Sequence, residues 1–235
     1  MGVSYASVSC ALVAMCLQFS IRIDLACVLQ ICQSRSILAN IADSWDIIAR
    51  FGNDSSLPHQ FYTDFSRVAL DESKHFTLLS QRLSELGTEY GSLPIHSALW
   101  SSAIETAQSL KARLAIIHLV HEARGLDVNP ATIEKFRRAG DLDSVKVLEI
   151  IHLDEITHVT CGHRWFTWVC EKERIDPVET FRKEVRENFN GAVRGPFNEV
   201  DRAKAGMGKE FYEDLIGEAD ARAKLGVGYE SVVIS

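Results

Sequence analysis

Proline is scarce in this sequence, with five residues among 235, and long alternations of polar and apolar residues are lacking. Apolar residues recur instead at steps of three and four, so the sequence predicts a mostly α-helical chain. Basic residues are also in the minority, with 25 Lys and Arg against 32 Asp and Glu and a net charge of −7. This balance disfavours general binding to nucleic acid or to anionic membranes.

The six cysteines form no CxxC pair, which argues against a zinc knuckle or a thioredoxin-type motif. We interpret them as reduced thiols of an intracellular, cytoplasmic protein. Residues 3–21 contain no charged side chain, although no Lys or Arg precedes them and no cleavage pattern follows. Membrane contact by the apolar stretch of residues 3–32, as an N-terminal anchor, therefore stays open.

Turn residues and apolar periods divide the rest of the chain into helices. The predicted helices span residues 36–51, 58–87, 106–124, 129–138, 141–170 and 176–188, with a short helix in 88–106 and a terminal one near 209–223. Gly125 is expected to end the third long helix before Pro130 opens the next one. The predicted organisation is an atypical apolar segment over residues 1–35, a helical bundle over 36–216 and a tail over 217–235.

Two motifs of the same form interrupt apolar stripes: Asp71-Glu-Ser-Lys-His75 and Asp154-Glu-Ile-Thr-His158. In each motif the Glu and the His are three residues apart, so both side chains lie on one face of a helix. A carboxylate and an imidazole on an apolar face are costly to bury unless they are paired or bound to metal. Glu122 falls on the inward face of a third helix. The sequence therefore predicts a dinuclear metal site with five ligands: Glu72, His75, Glu122, Glu155 and His158.

The first helix of the bundle lacks a glutamate, because no Glu precedes Glu72. A four-helix di-iron site takes a Glu from each of two helices and a Glu-x-x-His from each of the other two. Asp43 is predicted to face solvent, and Asp46 to reach no further than the edge of the core. We therefore expect two unequal metal positions, one completed by Glu122 and a depleted, weaker one at His75.

A metal-free interpretation stays open, in which the same residues form a buried polar layer held by salt bridges. Its candidate cations are Lys74, Arg113 and Arg124. Asp71 and Asp154, which precede the two motif glutamates, could hydrogen-bond the histidine of the opposite motif or be ordinary surface acids. His118, one turn before Glu122, could orient that carboxylate or be a satisfied core histidine.

Seven segments carry a resemblance to a known family: Asp46-Ile-Ile-Ala-Arg-Phe51, Phe61-Tyr62, Asp71-Glu-Ser-Lys-His-Phe76, Leu86-Gly87, His121-Glu-Ala-Arg-Gly-Leu-Asp127, Asp154-Glu-Ile-Thr-His158 and Arg194-Gly-Pro-Phe-Asn198. Through them, residues 40–216 resemble an uncharacterised ferritin-like family, group 455 of the domains of unknown function. The first helix of that family carries His-Ile-Glu where this chain has Arg35, Ser36 and Ile37. The chain thus departs from the family at a ligand position, and a variant or mis-assigned N-terminus would explain the departure.

More distantly, the pattern is similar to the non-haem di-iron tRNA hydroxylases that modify an isopentenylated adenosine. The two resemblances imply an all-α, ferritin-like four-helix bundle with extra N- and C-terminal helices. They also imply two iron ions, or manganese in their place, and an O2-dependent oxidoreductase or hydroxylase that acts on a small molecule or a modified nucleoside. Two alternatives stay open: a protein that oxidises or handles iron, whose storage would require an oligomer, and a metal-free helical interaction module with a degenerate site.

Overall fold

Four long helical segments carry most of the apolar core in this computed structural model, which describes residues 37–92 and 98–216. Over those residues the protein is an all-α bundle, so the predicted fold class is confirmed. The described part of the chain contains no β-strand, and a single parallel bridge joins Val193 to Ile216. Helices therefore position every residue of the predicted metal site.

The helices follow one another along the chain with short connections. Their bounds are α1 (Ile37–Phe51), α2 (His59–Glu85), α3 (Ala98–Glu105), α4 (Leu110–Ala115), a π-helical turn (Ile116–His121), α5 (Glu122–Arg138), α6 (Leu142–Glu173), α7 (Pro177–Asn188), α8 (Glu199–Lys204), α9 (Lys209–Tyr212) and a 3-10 turn (Glu213–Leu215). Helix α4, the π-helical turn and α5 form one continuous composite helix. Helix α1 packs along α2, α5 packs along α6, and α2 also lies against α6.

Local capping chemistry explains several helix ends. The Asp141 carboxylate accepts a hydrogen bond from the Ser144 N–H at 3.0 Å and begins α6. Asp176 accepts one from the Glu179 N–H at 2.8 Å and begins α7. Each bond satisfies an N–H that has no partner inside the helix. The predicted starts of these two helices are confirmed.

The prediction that Gly125 ends a helix is wrong, because α5 continues through both Gly125 and Pro130 to Arg138. A proline has no N–H to donate, so Pro130 leaves the carbonyl oxygen of Leu126, four residues earlier, without its helical partner. The side-chain Nδ2 of Asn198 donates to that oxygen at 3.2 Å. The lost helical hydrogen bond is thus replaced from a distant segment, and the helix continues.

Two apolar clusters lie above and below a polar layer in the bundle. The larger cluster includes Phe61, Phe65, Val68, Leu119, Val159, Trp165 and Phe166, and the smaller one includes Leu79, Leu83, Phe136, Leu148 and Ile151. On both α2 and α6, the motif residues fall between the residues of these clusters. The predicted ligands therefore lie at mid-height in the bundle, with apolar packing on either side along the helix axes.

Some predictions concern parts of the chain outside the described residues. They are the apolar stretch of residues 3–32, the boundary at residue 35, the side chain of Ile37, the part of the predicted terminal helix past residue 216 and the tail of residues 217–235. Within residues 37–92 and 98–216, none of the helices has the length and apolar character needed to cross a membrane.

Candidate metal centre

Four of the five predicted ligands converge on one point. Glu72 from α2, Glu122 from the start of α5, and Glu155 and His158 from α6 each offer a ligand atom, and these atoms all lie within 4.8 Å of one another. All four side chains are buried. Three carboxylates and one imidazole are ligands that suit first-row metal ions such as iron and manganese. The group can hold a metal ion.

His75 lies in the same layer but outside this group of four. Its ring is fully buried, and its Nδ1 is 3.6 Å from Oε2 of Glu72. The other oxygen of Glu72, Oε1, is 3.1 Å from Nδ1 of His158. Glu72 therefore lies between the two imidazoles, with one oxygen towards each.

Unpartnered polar atoms are concentrated in this layer. Buried atoms without a hydrogen-bond partner include both carboxylate oxygens of Glu72, Nδ1 of His75, Oε2 of Glu155 and both ring nitrogens of His158. Each buried polar atom left without a partner costs about 1–3 kcal/mol. Because a metal ion accepts lone pairs from oxygen and nitrogen alike, one or two ions would satisfy the carboxylate oxygens and the Nδ1 atoms of the two histidines, while Nε2 of His158 faces Asp71. The residues present fit a metal centre.

The cations of the metal-free interpretation make contacts elsewhere. Lys74 pairs with Asp71 and Asp154, Arg113 pairs with Asp46, and Arg124 donates to the main-chain oxygen of Arg194. These three candidate cations therefore form their ion pairs and hydrogen bonds outside the layer of Glu72, Glu122 and Glu155.

Crowding of carboxylates controls protonation in the layer. Burial, followed by the charges of Glu122 and Glu72, raises the pKa of Glu155 well above its ordinary value. Burial and the charge of Glu72 also raise the pKa of Glu122. Burial would raise the pKa of Glu72 as well, but the imidazoles of His158 and His75, whose Nδ1 atoms lie 3.1 Å and 3.6 Å from its oxygens, outweigh burial and hold that pKa below its ordinary value. Without metal, the layer therefore retains protons that an incoming cation must displace.

The two aspartates before the motif glutamates lie behind the histidines. Nε2 of His75 is 3.0 Å from Oδ2 of Asp154, so for Asp154 the structure shows the first of the two alternatives, a contact with the histidine of the opposite motif. Nε2 of His158 is 3.8 Å from Oδ2 of Asp71. Burial disfavours charge on His158, yet Asp71 and Glu72 raise its pKa well above its ordinary value. A carboxylate behind a ligating histidine fixes the ring orientation and leaves the other nitrogen for the metal.

The prediction that Asp43 faces solvent is wrong. Its side chain is fully buried, and neither carboxylate oxygen has a hydrogen-bond partner among the described residues. Burial raises the pKa of Asp43 to about 7 against the opposing charge of Arg113. The buried face of α1 runs through Asp43, Ser44 and Ile47. The apolar spacing of the sequence predicts that Ile41 faces inward, but Ile41 is only partly buried, so the predicted inward face was rotated away from Asp43. Asp43 is a buried carboxylate on the first helix, but it lies outside the group of four.

Asp46 does reach the edge of the core. Its Oδ2 is 2.6 Å from Nη1 of the fully buried Arg113 and 2.7 Å from Nε of Arg50. Because this carboxylate is committed to two guanidinium groups, it is not available to a metal ion in the layer.

A π-helical turn directly before Glu122 was not foreseen from the sequence. The apolar period through this region is compatible with a regular α-helix, whereas residues 116–121 are π-helical. The turn packs against Gly162 of α6, where an added Cβ would lie 2.4 Å from the carbonyl oxygen of His118. A glycine inside an apolar stripe was the one signal of this close approach. Single π-helical turns recur at functional sites, and this one directly precedes Glu122.

His118 lies in that turn and is buried. Its ring packs on Phe65 with centroids 4.7 Å apart, and its Nε2 has no hydrogen-bond partner in the described part of the chain. Burial lowers the pKa of His118 to about 3, so the ring is neutral. Nε2 therefore does not orient Glu122, and the ring serves the packing beside the layer.

Comparison with known proteins places the chain in a family. Residues 37–213, well over half of the chain, match the family described as "Protein of unknown function (DUF455)". The chain belongs to this family. The sequence motifs had indicated a resemblance to this same family. All five predicted ligands lie within the matched range. Residues 1–36 precede the matched range.

A relative from Haemophilus influenzae, described as "Uncharacterized protein", is 36% identical over 147 residues. The aligned region covers 63% of this chain and 51% of that protein, so the chain spans about half the length of the curated relative that it matches. No solved structure matches the chain.

Proposed function

We propose that this protein is a ferritin-like, carboxylate–histidine dinuclear metal protein that uses iron for the O2-dependent oxidation of an organic substrate, with manganese as the second candidate metal. The observation that carries the proposal is the position of Glu72, buried between His75 and His158, with two further carboxylates beside it. This arrangement follows the ligand pattern of di-iron carboxylate bundles. Bound iron would supply the redox chemistry with O2 that no side chain of the layer provides.

The residues divide into two unequal sets. Glu122, Glu155, His158 and Glu72 would hold one ion, and His75 with the shared carboxylates Glu72 and Glu155 would hold the other. The second set has no terminal carboxylate of its own in the group of four. We therefore propose that the ion at His75 is bound more weakly.

The surrounding chain supports chemistry that must be kept from bulk water. The apolar clusters on either side of the layer exclude water along the bundle axis. A low dielectric strengthens the electrostatic interactions of the carboxylates with a bound cation. In this environment His75 and His158 would supply nitrogen ligands, and the carboxyl of Glu155, whose pKa is raised well above its ordinary value, would give up its proton as a metal ion binds.

A small organic substrate, with a modified nucleoside as one example, is the class we propose. A cavity of about 130 Å³ borders the composite helix, with Val120, His121 and Arg124 on one wall and Phe189 and Phe197 on another. An apolar cavity of about 150 Å³ binds benzene, so this cavity is close in size to a six-membered ring. The buried, free thiols of Cys161 and Cys170 agree with a reducing compartment, and we propose the cytoplasm.

Oxygen uptake tests this proposal. The protein is loaded with Fe(II) without O2, and O2 consumption is measured after mixing with aerated buffer. We expect consumption in proportion to bound iron, and its loss in Glu155→Gln. Glu149→Gln is the matched control, because Glu149 lies on the same helix, is exposed and pairs with Arg137 at 2.7 Å. An iron-loaded protein that consumes no O2 would contradict the proposal, and a cage-sized assembly in gel filtration would favour iron handling instead.

A further inference from the structure

Lys74 joins the two acid-His motifs at the edge of the bundle. Its Nζ lies 2.5 Å from Oδ2 of Asp154 on α6 and 3.2 Å from Oδ1 of Asp71 on its own helix. The lysine side chain is 42% exposed, whereas the two histidines behind the aspartates are buried. One surface cation therefore contacts both carboxylates that lie behind the predicted nitrogen ligands.

These contacts form part of a closed loop. Asp154 meets Nε2 of His75 at 3.0 Å, and Asp71 lies 3.8 Å from Nε2 of His158. The Nδ1 atoms of the two histidines face Glu72, at 3.6 Å from Oε2 and 3.1 Å from Oε1. The loop runs in order through Lys74, Asp154, His75, Glu72, His158 and Asp71, and returns to Lys74.

This closed ring of contacts indicates a role for Lys74. Asp154 lies within hydrogen-bond distance of Nε2 of His75, a contact that fixes the tautomer and turns Nδ1 towards the layer. Asp71 faces Nε2 of His158 at ion-pair distance, 3.8 Å, and favours the same ring orientation by its charge. Asp71 and Asp154 are partly exposed and carry like charges, so without a shared cation each could turn towards water. Lysine suits this position because its ammonium is a compact charge with three donors on a flexible stem.

We infer that Lys74 is a positioning residue of the metal centre, which acts through Asp71 and Asp154 to aim Nδ1 of both His158 and His75 into the layer. The inference rests on the proposed metal-binding function. It goes beyond that function because it makes the two metal positions depend on one surface residue that contacts no metal ion. Exposed ion pairs add little to folding stability, so an effect of Lys74 on metal binding is separable from an effect on folding.

Cobalt(II) titration, followed by visible absorption, tests the inference with four variants of the full chain. Lys74→Met removes the charge and keeps the length, and Lys74→Arg keeps the charge. Of the two histidine contacts, Asp154→Asn alters the one to His75 and Asp71→Asn the one to His158. Each variant also alters the pairing of that aspartate with Lys74. The matched control is Lys146→Met, because Lys146 is an exposed lysine that pairs with Asp143, three residues earlier, at 2.9 Å.

We expect Lys74→Met to weaken cobalt binding at both positions by about tenfold or more, as loss of such outer partners does elsewhere. Lys74→Arg should restore most of the affinity, Lys146→Met should match the wild type, and each asparagine variant should weaken one position. If Lys74→Met does not fold, Lys74→Gln replaces it with the same expectation. In NMR spectra of the cobalt protein, two strongly shifted, exchangeable ring N–H signals are expected, and both should exchange faster with water in Lys74→Met.

The outcomes separate the inference from the function on which it rests. A wild type that binds no cobalt overturns the metal-binding proposal and the role of Lys74 with it. A wild type that binds cobalt, with equal affinities in Lys74→Met, overturns the role of Lys74 alone. A loss confined to one position also overturns it, because the inference requires one lysine to serve both histidines.

Discussion

Asp43 predicts a measurable pH dependence of folding in the metal-free protein. Its carboxyl is fully buried without hydrogen-bond partners, and burial raises its pKa from 3.8 to about 7. The folded protein therefore keeps this proton up to about pH 7, whereas the unfolded chain loses it above pH 3.8. Because the unfolded state binds fewer protons in this range, stability is full at low pH and falls as the pH rises towards 7.

The size of the effect follows from the shift. Each pKa unit corresponds to about 1.36 kcal/mol, so the shift from 3.8 to about 7 is worth roughly 4 kcal/mol. Asp43→Asn keeps the shape and removes the titration. We expect the free energy of unfolding of Asp43→Asn, relative to the wild type, to rise by about 1.4 kcal/mol per pH unit between pH 4.5 and 6.5 and to level off above pH 7.

Urea unfolding of chelator-treated protein between pH 4.5 and 8 measures this difference. Asp46→Asn is the matched control on the same helix. Burial opposes charge on Asp46 too, but hydrogen bonds from Arg50 and Arg113 lower its pKa below 3.8, so its contribution is lost only in more acidic solution. The Asp46→Asn difference should therefore stay constant over this range. A constant difference for Asp43→Asn as well would refute the reasoning about the buried first-helix carboxylate.

Two further substitutions test the helix that carries Glu122. Asn198→Ala leaves the Leu126 carbonyl without its partner and should cost about 1–3 kcal/mol in urea unfolding; an effect below about 0.5 kcal/mol would contradict the role of Asn198 at Pro130. Gly162→Ala places a Cβ against the main chain of His118 and should cost more than about 2 kcal/mol and lower the iron content per chain. Unchanged stability and iron content would contradict the close packing of the π-helical turn on α6.

Local signals account for most of what the sequence predicted correctly. The starts of α6 and α7 depend on caps within three residues, Asp141 and Asp176. The continuation of α5 could not be foreseen, because the group that replaces the missing hydrogen bond of Pro130 comes from Asn198, 72 residues after Leu126. From sequence alone, a proline within a helical pattern indicates the end of a helix, because a distant hydrogen-bond partner that would compensate for it is not visible.

In the site, too, features set by nearby residues were predicted correctly, and features set by distant contacts were not. The spacing of three residues predicted that Glu72 shares a helix face with His75, and Glu155 with His158. The structure brings the two motifs into one layer. The inward face of α1 was predicted wrongly because its buried face is not marked by a single apolar stripe. Asp43 shares that buried face with Ser44 and Ile47. The π-helical turn escaped prediction because its altered register follows from packing against α6.

Iron content per chain after anaerobic reconstitution tests the central claim most directly. Metal analysis would compare the wild type with His158→Ala, which removes a ligand from the group of four, and with His75→Ala, which removes the histidine outside it. The account predicts about one to two iron ions per wild-type chain, loss of iron binding in His158→Ala and a smaller loss in His75→Ala. A wild type without iron, or equal losses in the two variants, would contradict it.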